Sequence, residues 1–347
     1  MQLSQFNFPF DSSLVATEPV FPRERARLLV LDPRHRSMMH QHVADLAALL
    51  RPGDLLVVND TRVRPARVIG RKTSGKRADM LFIKAVADRD WEVLIKGNWR
   101  AGQVINVDAD AQLTVLVREG GRTVVRIEGT VPVDQWFKAH GCMPLPPYIK
   151  RPPNEQDRVW YQTLFAKDEG AIAAPTAGLH FTPALLSRLA ERHIELATVT
   201  LHVGVGTFKP VTVDRIEEHR MEAEWVDIGP AAVQAIERAK QRQGKIVAVG
   251  TTVVRALESA ASGPGTIRAY RGETGLFISP GYRFQIVNAM VTNFHLPQTT
   301  LLMLVSAFAG TEFLRQAYEE AVRLRYRFYS YGDAMLITDR DPASERD

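Results

Sequence analysis

Four times in its second half this chain passes from an apolar, strand-like stretch into a short loop rich in glycine, threonine, proline and histidine. The first of these loops reads AAPTAGLHFT, from Ala173 to Thr182, entered by the run AIAA from Ala171 and left through PALLSRLAERH at Pro183. Thr182 before Pro183 is a strong helix start, because the hydroxyl satisfies an orphan N–H and proline has none to lose. A strand that ends in such a loop and then opens a helix is the unit of an α/β fold, whose ligands collect at the strand ends. His180 stands at the rim of the loop. Two readings are open for it: a structural hydrogen-bonder in a glycine turn, or a side chain aimed at a ligand.

The other three loops share this pattern. IELATVTLHVG runs into His202, Gly204 and Gly206, then Thr207, Phe208, Lys209 and Pro210. KIVAVGTTVVRALESA is strand, Thr251-Thr252, helix, where free N–H groups could receive a carboxylate or phosphate, or the threonine simply caps. VNAMVTNFHLPQTTLLMLVSAFAG ends a strand in Thr292, Asn293 and His295, with a helix from about Thr299. The GVG triplet is too short for a dinucleotide fingerprint, and no helix opens at the required spacing. Three strand-end histidines invite a zinc site, yet no HExxH pairing or second ligand cluster accompanies them, so no metal is assigned.

Bulk properties set outer limits. With 347 residues, 45% of them hydrophobic and 24% charged, the chain is long enough for two soluble domains. Cys142 is the single cysteine, which excludes an intrachain disulfide and fits a reducing, cytoplasmic setting. The start, MQLSQFNFPFDSS, lacks a signal peptide's basic and apolar regions, and LLMLVSAFA from Leu301 is too short to span a bilayer. A net charge of +5 permits a nucleic-acid partner, although the charges are spread along the chain.

Earlier in the chain, LLVL at 28–31 reads as a buried strand. MMHQHVADLAALL reads as a helix ended by Pro52-Gly53, and DLLVVND as a strand closing on Asn59 and Asp60. Arg62, Arg64, Arg67, Arg71 and Lys72 follow, either as charge on an exposed edge strand or as a phosphate-facing strip. Between about Gly70 and Glu128 five short β-branched runs with turns between them, including Glu119-Gly120-Gly121, predict an inserted β-barrel. The fold class is therefore mixed α/β: a discontinuous catalytic domain, 1–66 and 148–347, interrupted by a barrel over 67–147. The exit linker MPLPPYIKRPP holds Tyr148 beside Lys150 and Arg151, which suits a stacked base next to phosphate, or a stiff proline linker. DRVWYQTLFA reads as helical, Glu222 and Glu224 flank a strand, GETGLFISPGYRF reads as a hairpin, and Asp341–Asp347 as a tail without fixed structure.

Eight blocks taken in order resemble one family. VVNDTRVRPAR, PLPPYIKR, YQTLFA, AAPTAGLHFT, TLHVGVGTFKPV, VGTTVVRALES, TGLFISPGYRF and TNFHLPQTTLLMLVSAFAG are similar to the S-adenosylmethionine:tRNA ribosyltransferase-isomerases of queuosine biosynthesis. RKTSGKRADMLF is a loose version of the family's glycine-glycine-glutamate stretch, which puts a functional role for the first barrel hairpin in doubt. The resemblance implies that the ribosyl part of S-adenosylmethionine moves to 7-aminomethyl-7-deazaguanine at the tRNA wobble position and is isomerised there, releasing adenine and methionine. S-adenosylmethionine is then a consumed substrate, with no true cofactor, metal or membrane partner, and a monomer is expected. Forming a sulfonium ylide needs a base, and adenine departure benefits from an acid. His180, His295 and Asp60 are the catalytic candidates in that order. Thr176, Gly178, Gly204, Gly206, Thr251 and Thr252 are candidates to hold S-adenosylmethionine; Arg62, Arg64, Tyr148, Lys150 and Arg151 are candidates for the tRNA. An ordinary methyltransferase would leave adenosylhomocysteine, and the missing glycine-rich loop counts against it. A non-catalytic RNA-binding module would have no use for three strand-end histidine loops.

Overall fold

Apolar runs without alternation predict strands buried on both faces. LLVVN at Leu55–Asn59 and IVAV at Ile246–Val249 are indeed buried at every position. These two pair in parallel, and each has a further parallel neighbour, Glu195–Leu201 on one side and Ala289–Asn293 on the other. The four form the middle of a nine-stranded sheet. It continues through Glu224–Ile228 and Tyr270–Thr274 at one edge, and through Ala334–Ile337, Arg27–Asp32 and Ser37–His42 at the other. Successive residues point to opposite faces. Leu55 and Val57 join a core shared with the helices Pro230–Gln241, Thr251–Ser259, Thr300–Ala309 and Thr311–Arg323, while Leu56 and Val58 pack with Leu46–Leu49 and Pro183–Glu191. Parallel pairing brings the carboxyl ends of all four central strands to one edge of the sheet, where an α/β fold opens its crevice. The computed structural model describes residues 1–208 and 211–339, with the side chains of Thr207 and Phe208 excepted; Lys209, Pro210 and residues 340–347, which take in the tail expected over Asp341–Asp347, lie outside the described residues.

The fold class read from the sequence, α/β with an inserted barrel, is the observed one. Six strands close on themselves in the order Arg67–Lys72, Arg77–Ala85, Asp90–Ile95, Arg122–Ile127, Gln112–Glu119 and Val104–Asn106, the last pairing back onto the first. The Gly120-Gly121 turn has positive φ at both residues (55° and 83°), the geometry a two-residue hairpin loop requires. Inside, Phe137 meets Phe82 and Trp91 edge-on at 5.1 Å each. The chain leaves the barrel beside where it enters, because Gly141–Cys142 pairs antiparallel with the start of Arg67–Lys72.

Three local expectations are corrected. The helix expected over MMHQHVADLAALL is an edge strand, Ser37–His42, followed by a single helical turn, Leu46–Leu49. A six-residue ladder with Arg27–Asp32 outweighs a helix propensity that is only a weak prior. DRVWYQTLFA is helical only over Asp157–Trp160, because the Gln162 carboxamide bonds both the N–H and the C=O of Val63 and the chain beyond runs in turns. GETGLFISPGYRF forms no hairpin. Tyr270–Thr274 pairs with Glu224–Ile228 instead, and the loop beyond is gripped by the Glu258 carboxylate, which accepts the N–H groups of Gln285, Ile286 and Val287. The helix Pro230–Gln241 starts directly on Gly229 after the strand Glu224–Ile228, and it buries Ala232, Ala235, Ile236 and Ala239.

Gly141 is required by space and not by conformation, since its φ of −90° suits any residue. A Cβ there would lie 1.9 Å from the Pro65 carbonyl oxygen, at the crossing where the barrel joins the sheet domain. Gly141→Ala is expected to cost about 1–3 kcal/mol as an overpacked contact, read from urea melts. An unshifted midpoint would show that the two crossing segments can part freely.

Candidate active site

At the carboxyl edge of the four parallel strands lies a cavity of about 470 Å³, a size suited to a small-molecule ligand. Each wall traces to one of the strand-end loops. Ala173 to Ala177 come from the first, Val203 from the second, Gly250, Thr251 and Thr252 from the third, and the run Thr292 to Thr299 from the fourth. Tyr148, Tyr161, Tyr329 and Ser330 complete it. Two helices begin at this wall. Thr251–Ser259 follows Gly250, whose φ of 97° only glycine adopts easily and which brings no capping side chain. Thr300–Ala309 is capped by Thr299, whose hydroxyl accepts the Leu302 N–H. Among the described residues that line the cavity there is no Asp, Glu, Lys or Arg.

Asn293 organises the polar side of this cavity. Its Oδ1 accepts the Thr176 hydroxyl at 3.2 Å, and its Nδ2 donates to the Tyr329 carbonyl at 3.0 Å. The same amide nitrogen stands 3.2 Å from His180 Nε2, so that ring nitrogen must be the acceptor. Burial, with the positive charge of Arg23 adding to it, lowers the His180 pKa to about 4. Two residues along, His295 lines the cavity itself. Its ring Nε2 is 2.9 Å from the Thr292 hydroxyl, its backbone N–H donates to the Tyr318 hydroxyl, and burial lowers its pKa to about 3. Both imidazoles are therefore neutral near pH 7.

Thr176, Thr251, Thr252, His295 and Tyr148 thus come together around one cavity. Tyr148 is half-buried in its wall, bonded through its hydroxyl to Ser330 and stacked on Tyr329 with centroids 4.2 Å apart. His180 sits one layer behind, reaching the cavity through Asn293. Gly178 is buried against Thr163, and neither it, Gly204, Gly206 nor Asp60 is among the described lining residues. The Gly204 N–H donates to Glu224, whose other oxygen takes the buried Arg255 guanidinium, and Gly206 packs on Glu222. Asp60 is buried, accepts the Thr200 hydroxyl at 2.6 Å, and has its pKa raised by desolvation. His202 is bonded to Thr61, its ring filling the space that Gly170 leaves by having no side chain. Among the described residues no three of His, Cys, Asp and Glu stand close enough together to hold a metal ion.

The basic candidates separate. Arg62 and Lys150 are exposed, with the Arg62 guanidinium donating to the Ala166 carbonyl. Arg64 is paired with Glu169 at 3.0 Å and lies 4.9 Å from the Trp91 ring, and Arg151 makes a two-pronged bond to the buried Asp157 at 2.7 Å. Asn293, Tyr161, Tyr329 and Ser330 were not singled out as site residues by motif logic. Asn293 had a signal in its strand-end position, whereas the other three reach the cavity only through tertiary folding.

A family model described as "Queuosine biosynthesis protein" matches residues 3–337. The chain is 48% identical over 347 residues to the S-adenosylmethionine:tRNA ribosyltransferase-isomerase of Xanthomonas oryzae pv. oryzae, covering 98% of each chain. It is 47% identical over 343 residues to that of Pelobacter propionicus, covering 97% of this chain and all of the relative. A crystal structure of S-adenosylmethionine tRNA ribosyltransferase from Thermotoga maritima aligns with a TM-score of 0.56 at 36% identity, over 96% of this chain and 100% of that one. With a matched span that takes in both the barrel and every loop of the cavity, the chain belongs to the queuosine biosynthesis family.

Proposed function

We propose that this chain transfers the ribosyl moiety of S-adenosylmethionine to 7-aminomethyl-7-deazaguanine at the tRNA wobble position and isomerises it, giving epoxyqueuosine-tRNA and releasing adenine and methionine. The observation that carries this reading is the cavity's character: tyrosine and phenylalanine rings and neutral hydroxyls, with no ionised side chain among the described lining residues. A sulfonium is a cation that aromatic faces attract, most strongly when water is excluded. The uncapped start of Thr251–Ser259 supplies N–H groups and a positive dipole end for the methionine carboxylate. His295, held neutral in the wall, is placed to take a proton from the ribose carbon beside sulfur. His180 acts behind it as a positioning residue, fixing the Asn293 carboxamide. Neither histidine is an imidazolium at neutral pH, so adenine departs with help from hydroxyl donors such as Thr251 and Thr252. Exposed Arg62 and Lys150 are assigned to tRNA phosphates. A cytoplasmic monomer is part of this reading.

Incubating the protein with S-adenosylmethionine and the modified tRNA should yield free adenine and methionine. Adenosylhomocysteine as the product would establish a methyltransferase instead. His295→Gln should lower single-turnover adenine release by about 10²–10⁴-fold, with His180→Gln the milder of the two. Near-normal release by the His295 variant would remove it from the reaction.

Both histidines have folded-state pKa values depressed below the unfolded value near 6.5, so the unfolded chain binds more protons between that pH and about 4. Stability should fall as pH drops from 6.5 to 4, by on the order of 3 kcal/mol per histidine. His180→Gln should flatten this part of the profile in denaturant melts. A slope identical to wild type would show that His180 titrates normally.

For the tRNA, Arg62→Ala and Lys150→Ala should each reduce the log–log salt slope of binding by roughly 0.7–0.9 while leaving S-adenosylmethionine affinity intact. Unchanged slopes would place the phosphates elsewhere.

A further inference from the structure

Phe21 is 56% exposed and Val159 71% exposed, so both present apolar side chains to solvent. The Phe21 ring leans on that of Trp160, with centroids 5.8 Å apart and planes at 47°. Arg23 fixes this shelf, its guanidinium donating to the carbonyls of Val159, Trp160 and Leu179. Trp160 also packs on the small core that holds Ala174 and Tyr161, both cavity-lining, so the shelf and the cavity share a wall. The Arg151 guanidinium, paired with Asp157, lies 5.9 Å from the Trp160 ring, and its sequence neighbour Lys150 is exposed.

We infer that the Phe21–Trp160 shelf is a stacking platform for unpaired bases of the tRNA loop that carries the reacting base. The inference rests on the proposed function and extends it to how the RNA is held. A base can reach a cavity of this size only by leaving its stack, and its loop neighbours then lose a partner face. An exposed aromatic surface next to the cavity, with the exposed Lys150 available to a phosphate, replaces that face, since stacking tolerates any base. Tyr148, the linker aromatic, cannot do this, being half-buried and bonded to Ser330.

The test is binding of the tRNA carrying 7-aminomethyl-7-deazaguanine to Phe21→Ala, Phe21→Trp and Phe21→Leu variants across a salt series. Phe21 is at the surface, so these variants keep the core. Phe21→Ala should weaken tRNA binding by about 5- to 150-fold per base unstacked, with the salt slope and S-adenosylmethionine affinity unchanged, and Phe21→Trp should restore it. Affinity within twofold of wild type for Phe21→Ala overturns the inference. So does full rescue by Phe21→Leu, which would make the contact apolar and not stacked, and so does parallel loss of S-adenosylmethionine binding. Altered self-association with unchanged tRNA affinity would mark the shelf as a protein contact and overturn it too. Because the readout is binding, a wild-type protein that holds this tRNA but releases no adenine would refute the proposed reaction while leaving the shelf supported.

Discussion

The Asn293 carboxamide commits three of its four hydrogen-bonding positions to two separate stretches of chain: the Thr176 hydroxyl and His180 ring of one loop, and the Tyr329 carbonyl. It sits at the end of the last central parallel strand and is 2% exposed, so none of these bonds competes with water. The polarity of each bond is forced. Because the Tyr329 carbonyl can only accept, the amide nitrogen must face it, and His180 must then accept through an unprotonated Nε2. Protonating that nitrogen would set donor against donor in a buried place, where an unmatched polar group is costly. The cavity wall therefore depends on a neutral imidazole. Tyr329 shows what the arrangement demands of the backbone, since it holds a φ of 71° unusual for an aromatic residue.

Charged residue types are abundant around this site, yet they are tied up by one another or by backbone N–H groups. Glu224 and Arg255 form a buried pair beside the second loop, Glu258 receives three backbone N–H groups, and Asp157 takes Arg151. Each pair fixes a loop or segment near the cavity without placing charge in it. The interior left behind is aromatic and hydroxylic, with a low effective dielectric in which a cationic substrate interacts strongly with ring faces and dipoles. Sequence inspection weights charged residues as chemistry. Here several of them serve as clamps, and Arg151 is the clearest case: adjacent to an exposed lysine in sequence, it is turned inward by a carboxylate six residues on.

Much of the framework was legible because it follows from local periodicity. Unalternating apolar runs marked the central strands, Thr182-Pro183 marked a helix start whose cap hydroxyl does accept the Leu185 N–H, and the paired glycines at 120 and 121 marked a hairpin. The expectation of a helix over MMHQHVADLAALL failed for a reason that no window on the sequence contains: its alternative was a ladder with residues 27–32, which exists only once that strand is in the sheet. Within the site, Thr176, Thr251, Thr252 and His295 could be named from strand-end position alone. Tyr161, Tyr329 and Ser330 could not, because they lie outside the strand-end loops, Tyr161 at the head of YQTLFA, and arrive by packing.

The sequence by itself determined that this is an α/β chain with a barrel inserted, and that its polar strand-end loops would gather at one edge, because parallel strands send all their carboxyl ends the same way. It also carried the family resemblance in blocks long enough to be specific. Only the tertiary structure decided which of the three histidines meets the cavity, which basic residues stay exposed, and which aromatic ring faces solvent. Those outcomes depend on through-space partners, such as Asn293 for His180, Thr61 for His202 and Asp157 for Arg151, that lie from six to well over a hundred residues away along the chain.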